Sequence, residues 1–397
     1  MSEAILVLNV GSSSIKFALY RVGELDLLCR GHIERIGTDA ASFSASGPLG
    51  AALGDTPPSA RDHASTGQWL LDRIAERLPG VTVRAAGHRI VHGGMEFTAP
   101  AFIDDRVLAA LERLAPLAPN HQPHNLAAVR MVARAWPDLP QVACFDTAFH
   151  RTQPRNAQWF ALPRAFADEG IVRYGFHGLS YEYLSGALAE HAGARADARV
   201  VIAHLGHGAS LCALRERKSV ATTMGFTALD GLMMGRRSGA IDPGVLLHLM
   251  QERGMTAAEV GDLLYNRSGL LGVSGISDDL RTLEADGSDA AEQAMDLFAY
   301  RAAREIGSLA AALGGVDVLV FSAGIGERSA QMRARICAYS KWLGVSIDTR
   351  ANGAHGPRIG AADSRVDVLV VPTDEEIVIA RAANAWIEDR AGNTRSK

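Results

Sequence analysis

The feature that most constrains the fold is a strand, a turn of glycine and serine, and a second strand at the start of the chain. Residues 5–8 are apolar and rich in branched side chains but too few for a helix, so they predict a buried strand. A strand pattern resumes at 15–20, which predicts a hairpin with a polar tip. Gly11 permits close main-chain approach and Lys16 adds a positive charge, features that suit a polyphosphate as well as an ordinary polar turn. Asn9, where the first strand ends, suits a hydrated magnesium ion.

The same pattern returns in the second half of the chain. Residues 200–214 comprise a strand, a polar residue, a glycine turn, small residues and another strand. His204 and Gly206 correspond to Asn9 and Gly11 of the first hairpin. Two hairpins of this type indicate a duplicated fold, with a nucleotide bound between the two halves.

Length and composition narrow the class of protein. A chain of 397 residues is long enough for two domains, and 48% hydrophobic with 21% charged residues is ordinary for a globular protein. The net charge of -4 argues against a nucleic-acid-binding surface. The four cysteines show no paired spacing, which favours a reducing compartment over disulfides or a zinc site. Residues 1–3 lack the basic segment of a signal peptide and strand 5–8 is too short to span a membrane, so we expect a cytoplasmic protein without a membrane partner.

Apolar periodicity and turn residues organise the rest of the chain. Residues 38–58, rich in alanine, serine, glycine and proline, predict a loop, and 87–94 predict a polar turn after a strand. Prolines around 150–170 mark the crossover between domains, and the long loop 222–243 is expected to be functional. The pattern further predicts helices over 70–78, 107–117, 126–136, 290–313 and 377–388, and strands over 81–86, 141–145, 316–322 and 366–371.

Nine stretches spread over nearly the whole chain carry an ordered set of motifs: 9–16 (Asn-Val-Gly-Ser-Ser-Ser-Ile-Lys), 87–94, 145–150, 174–178, 204–206, 223–227, 237–239, 321–327 and 373–376. This set resembles the acetokinase family of acetate and propionate kinases, within the actin, Hsp70 and hexokinase superfamily. The resemblance implies an α/β protein of two duplicated RNase H-like, actin-like ATPase domains, each a mixed sheet flanked by helices, with the nucleotide cleft between them. It further implies an acyl- and phosphate-binding domain of residues 1–150 plus 376–397, a nucleotide-binding domain of residues 151–375, and a homodimer.

The activity implied by the resemblance is reversible, ATP-dependent phosphorylation of acetate or another short-chain carboxylate by direct in-line transfer with Mg²⁺ or Mn²⁺. Such a transfer needs charge neutralisation and alignment rather than covalent help from the protein. Arg89 and Arg237 are permanently charged groups that bind carboxylate or phosphoryl oxygens in pairs, although an arginine in a turn is commonly a solvated surface charge. Asp146 has an electrostatic and positioning role, because a carboxylate acceptor is already ionised at neutral pH. His177 is either a phosphoryl-binding or a buried structural histidine.

The resemblance assigns roles to these and further residues. Asp146, His177 and Arg237 are the catalytic set, and Arg89 binds the acceptor carboxylate in a pocket formed with Val91, Asn120, Phe176 and Ala228. Asn9 and Glu375 lie next to the metal, although the acidic run 374–376 also suits the start of a helix. The nucleotide is bound on its phosphate side by Lys16, His204, Leu205, Gly206, His207 and Gly208, and on its adenosine side by Asp279, Leu280, Arg281, Gly324, Ile325, Gly326, Glu327 and Arg328.

Several positions depart from the usual family pattern. Outside the acceptor pocket they are His207 for asparagine, Arg236 for threonine, Ala240 for aspartate, and Leu179 and Tyr181 for a threonine and a histidine. In the pocket, Asn120 replaces a leucine and Ala228 a proline. These departures bear on the identity of the acceptor more than on the class of reaction, so a kinase for propionate or a hydroxylated short acid is an alternative.

Two other classes of function remain open from the sequence. A metal-dependent hydrolase would use histidine pairs at 88 and 92, 121 and 124, or 204 and 207, and would contain stoichiometric zinc. A nucleotide-binding regulator would bind ATP without forming an acyl phosphate, and a hydroxamate assay separates it from a kinase.

Overall fold

The computed structural model describes residues 2–11, 13–56 and 62–395, without the side chains of 391–395. The chain divides into two compact units, unit 1 with Met1–Ala148 and Asp374–Lys397, and unit 2 with Phe149–Thr373. Ser12 of the first turn and residues 57 and 58 of the predicted loop lie outside the described residues. The assignment of acyl binding to one part of the chain and nucleotide binding to the other stays a prediction.

Unit 1 is built on a seven-stranded sheet of order β4-β3-β2-β1-β5-β7-β6. Strands β1, β2, β3 and β4 form an antiparallel meander, whereas β5 and β7 run parallel to β1. The strands are Ser2–Val10 (β1), Ser14–Arg21 (β2), Leu27–Glu34 (β3), Ser42–Ser46 (β4), Val81–Ile90 (β5), Ala101–Phe102 (β6) and Gln141–Phe145 (β7). The helices are His63–Arg77 (α1), Asp105–Arg113 (α2), Gln122–Ala135 (α3) and, at the end of the chain, Glu375–Arg395 (α15).

Unit 2 repeats this arrangement with a five-stranded sheet of order β10-β9-β8-β11-β12. Its strands are Val200–Leu205 (β8), Ala209–Arg215 (β9), Lys218–Thr222 (β10), Val318–Ser322 (β11) and Asp367–Val370 (β12). Its helices are Arg155–Gln158 (α4), Arg164–Asp168 (α5), Gly178–Ala192 (α6), Pro243–Gln251 (α7), Ala257–Asn266 (α8), Gly269–Ser274 (α9), Leu280–Asp286 (α10), Asp289–Leu313 (α11), Ala323–Arg328 (α12), Ala330–Tyr339 (α13) and Thr349–Gly353 (α14).

The two sheets share a five-strand core with the same order and the same strand directions. In unit 2, β8, β9 and β10 form an antiparallel meander and β11 and β12 run parallel to β8, as β5 and β7 do to β1. The duplicated mixed sheets predicted from the two hairpins are therefore confirmed. The hairpins themselves are β1 with β2 and β8 with β9.

The alternation of side chains along β5 explains how helices cover both faces of the first sheet. Ala86 belongs to the core that α1 and α3 form with the sheet, through residues such as Leu70 and Met131. Its neighbour Gly87 faces the other side, where a Cβ atom would lie 2.5 Å from Cγ2 of Ile379 on α15. Successive strand residues point to opposite faces, so the glycine is what allows α15 to pack closely.

Two local predictions were wrong. The stretch 38–58 is not a plain loop, because it contains β4 and a short 3₁₀ helix at Gly50–Leu53. Strand β4 is serine-rich and gave no apolar signal; backbone pairing with β3 and the buried ring of Phe43 hold it in the sheet. The polar turn predicted at 87–94 begins later, since β5 continues to Ile90 between β1 and β7.

Across residues 2–11, 13–56 and 62–395, no helix is both long and apolar enough to cross a membrane.

Candidate active site

In unit 1 the predicted acceptor residues converge where parallel strands end. Arg89 lies at the carboxyl end of β5 and Asp146 directly follows the adjacent strand β7. The Arg89 guanidinium donates to both carboxylate oxygens of Asp146, from Nε at 3.0 Å and from Nη2 at 2.6 Å. Its Nη1 donates to Oδ1 of Asn9 at 3.2 Å. Asp146 is buried, so this bidentate pair orients the arginine.

Burial and neighbouring carboxylates set the electrostatics around Arg89. Burial disfavours its charge, but the carboxylates of Asp146 and Glu375 outweigh burial and hold the pKa of Arg89 above its ordinary value. Burial raises the pKa of Glu375, with Asp146 and Glu376 adding to the rise and Arg89 opposing it. A carboxyl group in such surroundings is stabilised as an anion by a cation.

The predicted metal pair, Asn9 and Glu375, has the ligand chemistry that a hard divalent cation requires. Both side chains offer oxygen atoms, and the amide oxygen of Asn9 retains an acceptor site beside its bond from Arg89. In the described part of the chain, no group of three or more His, Cys, Asp or Glu side chains is arranged to hold a metal ion. An ion at this pair would therefore depend on ligands from substrate or water.

The predicted acceptor wall is divided between the units. Val91 is buried in unit 1, where its N–H donates to Oδ1 of Asn125 at 3.0 Å, while the Asn125 amide donates to the Val10 carbonyl at 2.8 Å. Asn120 is exposed. Phe176 is buried in unit 2, and Ala228 of the same unit is partly exposed. Asn125 was not predicted as a site residue; it lies in the first turn of α3.

His177 directly precedes α6 and adopts an unusual backbone conformation. Its φ of 59° places it in the left-handed region, which is rare for a residue with a side chain. Nδ1 of His177 lies 2.8 Å from Oγ of Ser210, and its ring stacks on that of His204 with 4.2 Å between centroids. Strained backbone of this kind is concentrated at functional sites.

Arg237 and His177 approach the same glycine turn of unit 2. A Cβ atom on Gly208 would lie 3.3 Å from Nε2 of His177 and 3.8 Å from Nη2 of Arg237. Nη1 of Arg237 donates to the Ala228 carbonyl at 2.8 Å, which fixes the guanidinium within its loop. The structure thus brings the two residues together beside the turn between β8 and β9.

A pocket of about 400 Å³ in unit 2 contains most of the predicted nucleotide residues. This volume suits a small ligand. Its predicted lining residues are Gly206, His207, Asp279, Leu280, Arg281, Gly324, Ile325 and Arg328, and its unpredicted ones are Asp278, Glu284 and Ser329. Of these three unpredicted residues, Asp278 could have been found from the sequence, because it directly precedes the predicted Asp279.

Other predicted nucleotide residues lie elsewhere. Leu205 is buried in the sheet, and the carboxylate of Glu327 accepts bonds from the main-chain N–H groups of Ala323 at 2.9 Å and Thr373 at 3.2 Å. Residues Ala323–Arg328 form the helix α12 directly after β11, and its first residue, Ala323, has a φ of 63°. Lys16 is exposed in unit 1, paired in register with Asn9.

Two of the departures from the family pattern share one carboxylate at this pocket. Nε of Arg236 donates to Oδ2 of Asp278 at 2.6 Å, and Nε2 of His207 lies 3.1 Å from the same oxygen. Burial works against the charge of Asp278, but these hydrogen bonds hold its pKa below the ordinary value. The cluster links the turn after β8, the loop that carries Arg237 and the segment before α10.

Several histidines of the hydrolase alternative have hydrogen-bond partners within the protein. His88 contacts Gln141 at 2.7 Å, and Nδ1 of His92 accepts from the N–H of Gly94 at 2.9 Å. His204 contacts Ser180 at 2.8 Å. These contacts place one ring nitrogen of each of these three histidines in the protein's own hydrogen-bonding network.

Comparison with known proteins matches nearly the whole chain to one family. The model of the Acetokinase family matches residues 4–381. The chain is 52% identical over 389 residues to an acetate kinase of Rhodopseudomonas palustris, covering 96% of this chain and 98% of that relative. A solved propionate kinase of Francisella tularensis matches with a TM-score of 0.90 and 35% identity, covering 97% of this chain and 100% of that one. A solved acetate kinase of Porphyromonas gingivalis matches with a TM-score of 0.86 and 38% identity over the same shares. The chain belongs to the acetokinase family.

Proposed function

We propose that this protein is an acetate kinase, which transfers the γ-phosphoryl group of ATP to acetate or another short-chain carboxylate. A carboxylate oxygen attacks the γ-phosphorus, the bond to the ADP oxygen breaks, and acyl phosphate and ADP form reversibly. The observation that carries this proposal is the 52% identity to an acetate kinase across 96% of the chain. The convergence of Arg89 with Asp146, and of His177 with Arg237, supports it chemically.

We assign the acceptor to unit 1 and the nucleotide to unit 2. Arg89, oriented by Asp146, binds the acceptor carboxylate. His177 donates a hydrogen bond to the transferring phosphoryl group, and Arg237 neutralises the charge that develops on it. Asn9 and Glu375 would hold Mg²⁺ or Mn²⁺, which when bound neutralises the phosphate oxygens.

The residues of the predicted acceptor pocket bear on which carboxylate is preferred. Solved relatives include both a propionate kinase and an acetate kinase, so the fold accommodates either acid. Asn120 is exposed, so we expect it to contribute little to the fit of the acyl chain, while Ala228 leaves more room than a proline. We propose acetate as the preferred acceptor, with propionate accepted in a relaxed pocket.

A carboxylate panel tests this function. Purified protein with ATP and Mg²⁺ is assayed by hydroxamate formation with acetate, propionate, butyrate and a 2-hydroxy acid. We expect acyl phosphate with the highest kcat/KM for acetate, and a ratio of acetate to propionate that Asn120→Leu leaves unchanged. The alternative result is a higher kcat/KM for propionate or the hydroxy acid than for acetate. If Asn120→Leu then shifts that ratio back by about 10-fold, which is the discrimination that one fitted group provides, Asn120 is a specificity residue.

We also propose a homodimer formed through α7. This helix is apolar, yet it contains no buried residue. Val245, Leu247 and Met250 are all exposed, and Leu247 has 55% of its surface accessible. An exposed apolar helix face is typical of a protein interface, and a second copy of the chain is the partner that we assign to it.

A further inference from the structure

A chain of hydroxyl groups leads from the interior of unit 2 to the ring of His177. Tyr181 lies on α6, one turn after His177, and Ser210 lies on β9. The Tyr181 hydroxyl is 2.6 Å from Oγ of Ser210, which is 2.8 Å from Nδ1 of His177. Tyr181 and Ser210 are both fully buried. Water therefore does not compete for these hydrogen bonds.

The direction of the first bond follows from the surroundings of Tyr181. Within the described residues, Ser210 is the only hydrogen-bond partner of the Tyr181 hydroxyl. Burial raises the pKa of Tyr181 well above its usual range, so the phenol keeps its proton. A buried O–H without an acceptor is costly, so Tyr181 donates to Ser210.

The direction of the second bond then follows from the single proton of Ser210. Its oxygen accepts from Tyr181, so its own O–H is available to donate to Nδ1 of His177. Nδ1 is then the unprotonated nitrogen of a neutral ring, and Nε2 carries the proton. Nε2 is the atom that lies beside the Gly208 position, at the turn assigned to the phosphates.

We propose that Tyr181 and Ser210 are positioning residues that hold His177 as the neutral tautomer with its proton on Nε2. This assignment rests on the proposed function, in which His177 donates to the transferring phosphoryl group. The donor is thus set before substrate arrives, and no rearrangement of protons accompanies the transfer. Tyr181 is one of the positions that depart from the usual family pattern, which has a histidine there.

The stacked ring of His204 has a matching arrangement, which supports a neutral pair. Ser180 lies 2.8 Å from Nδ1 of His204 and 2.8 Å from the Thr373 hydroxyl. The ring centroids of His177 and His204 are 4.2 Å apart, and two imidazolium charges at that distance would repel each other. Fixing the proton by hydroxyl groups avoids the need for charge on either ring.

The test combines a spectroscopic and a kinetic measurement on the full-length protein. With ¹⁵N-labelled histidine, the His177 resonances are identified by their loss in His177→Gln. We expect wild-type protein to show an unprotonated Nδ1 and a protonated Nε2. In Tyr181→Phe, which retains the ring but removes the directing hydroxyl, we expect the His177 nitrogens to shift toward an average of both tautomers. We expect kcat to fall by about 3- to 10-fold while both KM values change less than twofold.

Tyr183→Phe is the matched control, because Tyr183 lies on the same helix and is only partly buried. It should leave the His177 resonances and kcat unchanged. The proposal is wrong if wild-type His177 carries its proton on Nδ1, or if Tyr181→Phe leaves both the His177 resonances and kcat as in the wild type. If Tyr181→Phe fails to fold, Ser210→Ala replaces it as the test variant, because it removes the hydroxyl next to Nδ1 of His177, and the Nδ1 resonance is measured again. A wrong proposed function gives a different result: the wild-type protein would then form no acyl phosphate, whichever tautomer His177 adopts.

Discussion

At the scale of single residues, Arg237 is the side chain on which the rate should depend most. Its guanidinium is held by the Ala228 carbonyl beside Gly208, within unit 2. We expect Arg237→Ala to lower kcat by about 10³-fold or more with little change in the KM for ATP, because a cation that engages the transferring phosphoryl acts mainly in the transition state. Steady-state kinetics with ATP varied at saturating acetate measures both constants.

Arg350→Ala, which removes an exposed arginine of α14 in the same unit, is the control and should behave as wild type. The neighbouring Arg236 is paired with Asp278 and is therefore not expected to replace Arg237. Near-normal turnover of Arg237→Ala would show that this charge serves another purpose.

The residues of the site differ in how well the sequence predicts them. The roles of Arg89 and Asp146 were predicted from the family resemblance, and the structure pairs the two because the carboxyl ends of the parallel neighbours β5 and β7 meet. The contacts of Asp278 and Ser210 were not predicted, since they join residues distant in sequence. Glu327 was assigned to the nucleotide, but its carboxylate accepts main-chain bonds that only the folded chain brings within reach.

At the scale of elements, Asp278 connects three segments around the unit 2 pocket that we assign to the nucleotide. We expect Asp278→Asn to raise the KM for ATP by about 10-fold and to leave the KM for acetate unchanged, because the hydrogen bonds from Arg236 and His207 lose their charged acceptor. Asp197→Asn is the control, since Asp197 forms a comparable exposed pair with Arg217 at 2.7 Å. Equal KM values for ATP in the two variants would show that the cluster of Asp278, Arg236 and His207 does not contribute to nucleotide binding.

The packing of α15 on β5 gives a prediction of stability. Gly87→Ala would place a methyl group 2.5 Å from Cγ2 of Ile379, and we expect a loss of about 1 to 3 kcal/mol in the free energy of unfolding. Gly186→Ala is the control, because nothing lies within 4 Å of its added Cβ atom on α6 and alanine favours the helix. Denaturant unfolding of both variants compares them, and an unchanged midpoint for Gly87→Ala would mean that the interface relaxes freely.

Elements with a strong apolar pattern were the ones predicted well. The helix predicted over 290–313 is α11, Asp289–Leu313, whose buried residues recur at helical spacing. Strand β4 escaped prediction because its stabilisation is backbone pairing with β3, which leaves no mark on a serine-rich sequence. The extension of β5 through Arg89 has the same cause, since pairing on both sides decides where a strand ends.

At the scale of the whole molecule, the exposed face of α7 predicts the state of association. We expect the wild type to have the mass of a dimer by light scattering after size-exclusion chromatography, and a Val245→Asp, Leu247→Asp double variant to have that of a monomer, because charge is excluded from an apolar interface. Leu162→Asp alters a residue as exposed as Leu247 outside α7 and should stay dimeric. A monomeric wild type would show that a second copy of the chain does not cover the apolar face of α7.

The most direct measurement of the central claim is ³¹P NMR of the purified protein with ATP, acetate and Mg²⁺. The account predicts that acetyl phosphate and ADP appear in equal amounts without inorganic phosphate, and that Arg237→Ala suppresses both. ATP that remains intact although it binds would identify a nucleotide-binding regulator. Release of inorganic phosphate in place of acetyl phosphate would identify a hydrolase, and either result would contradict the account.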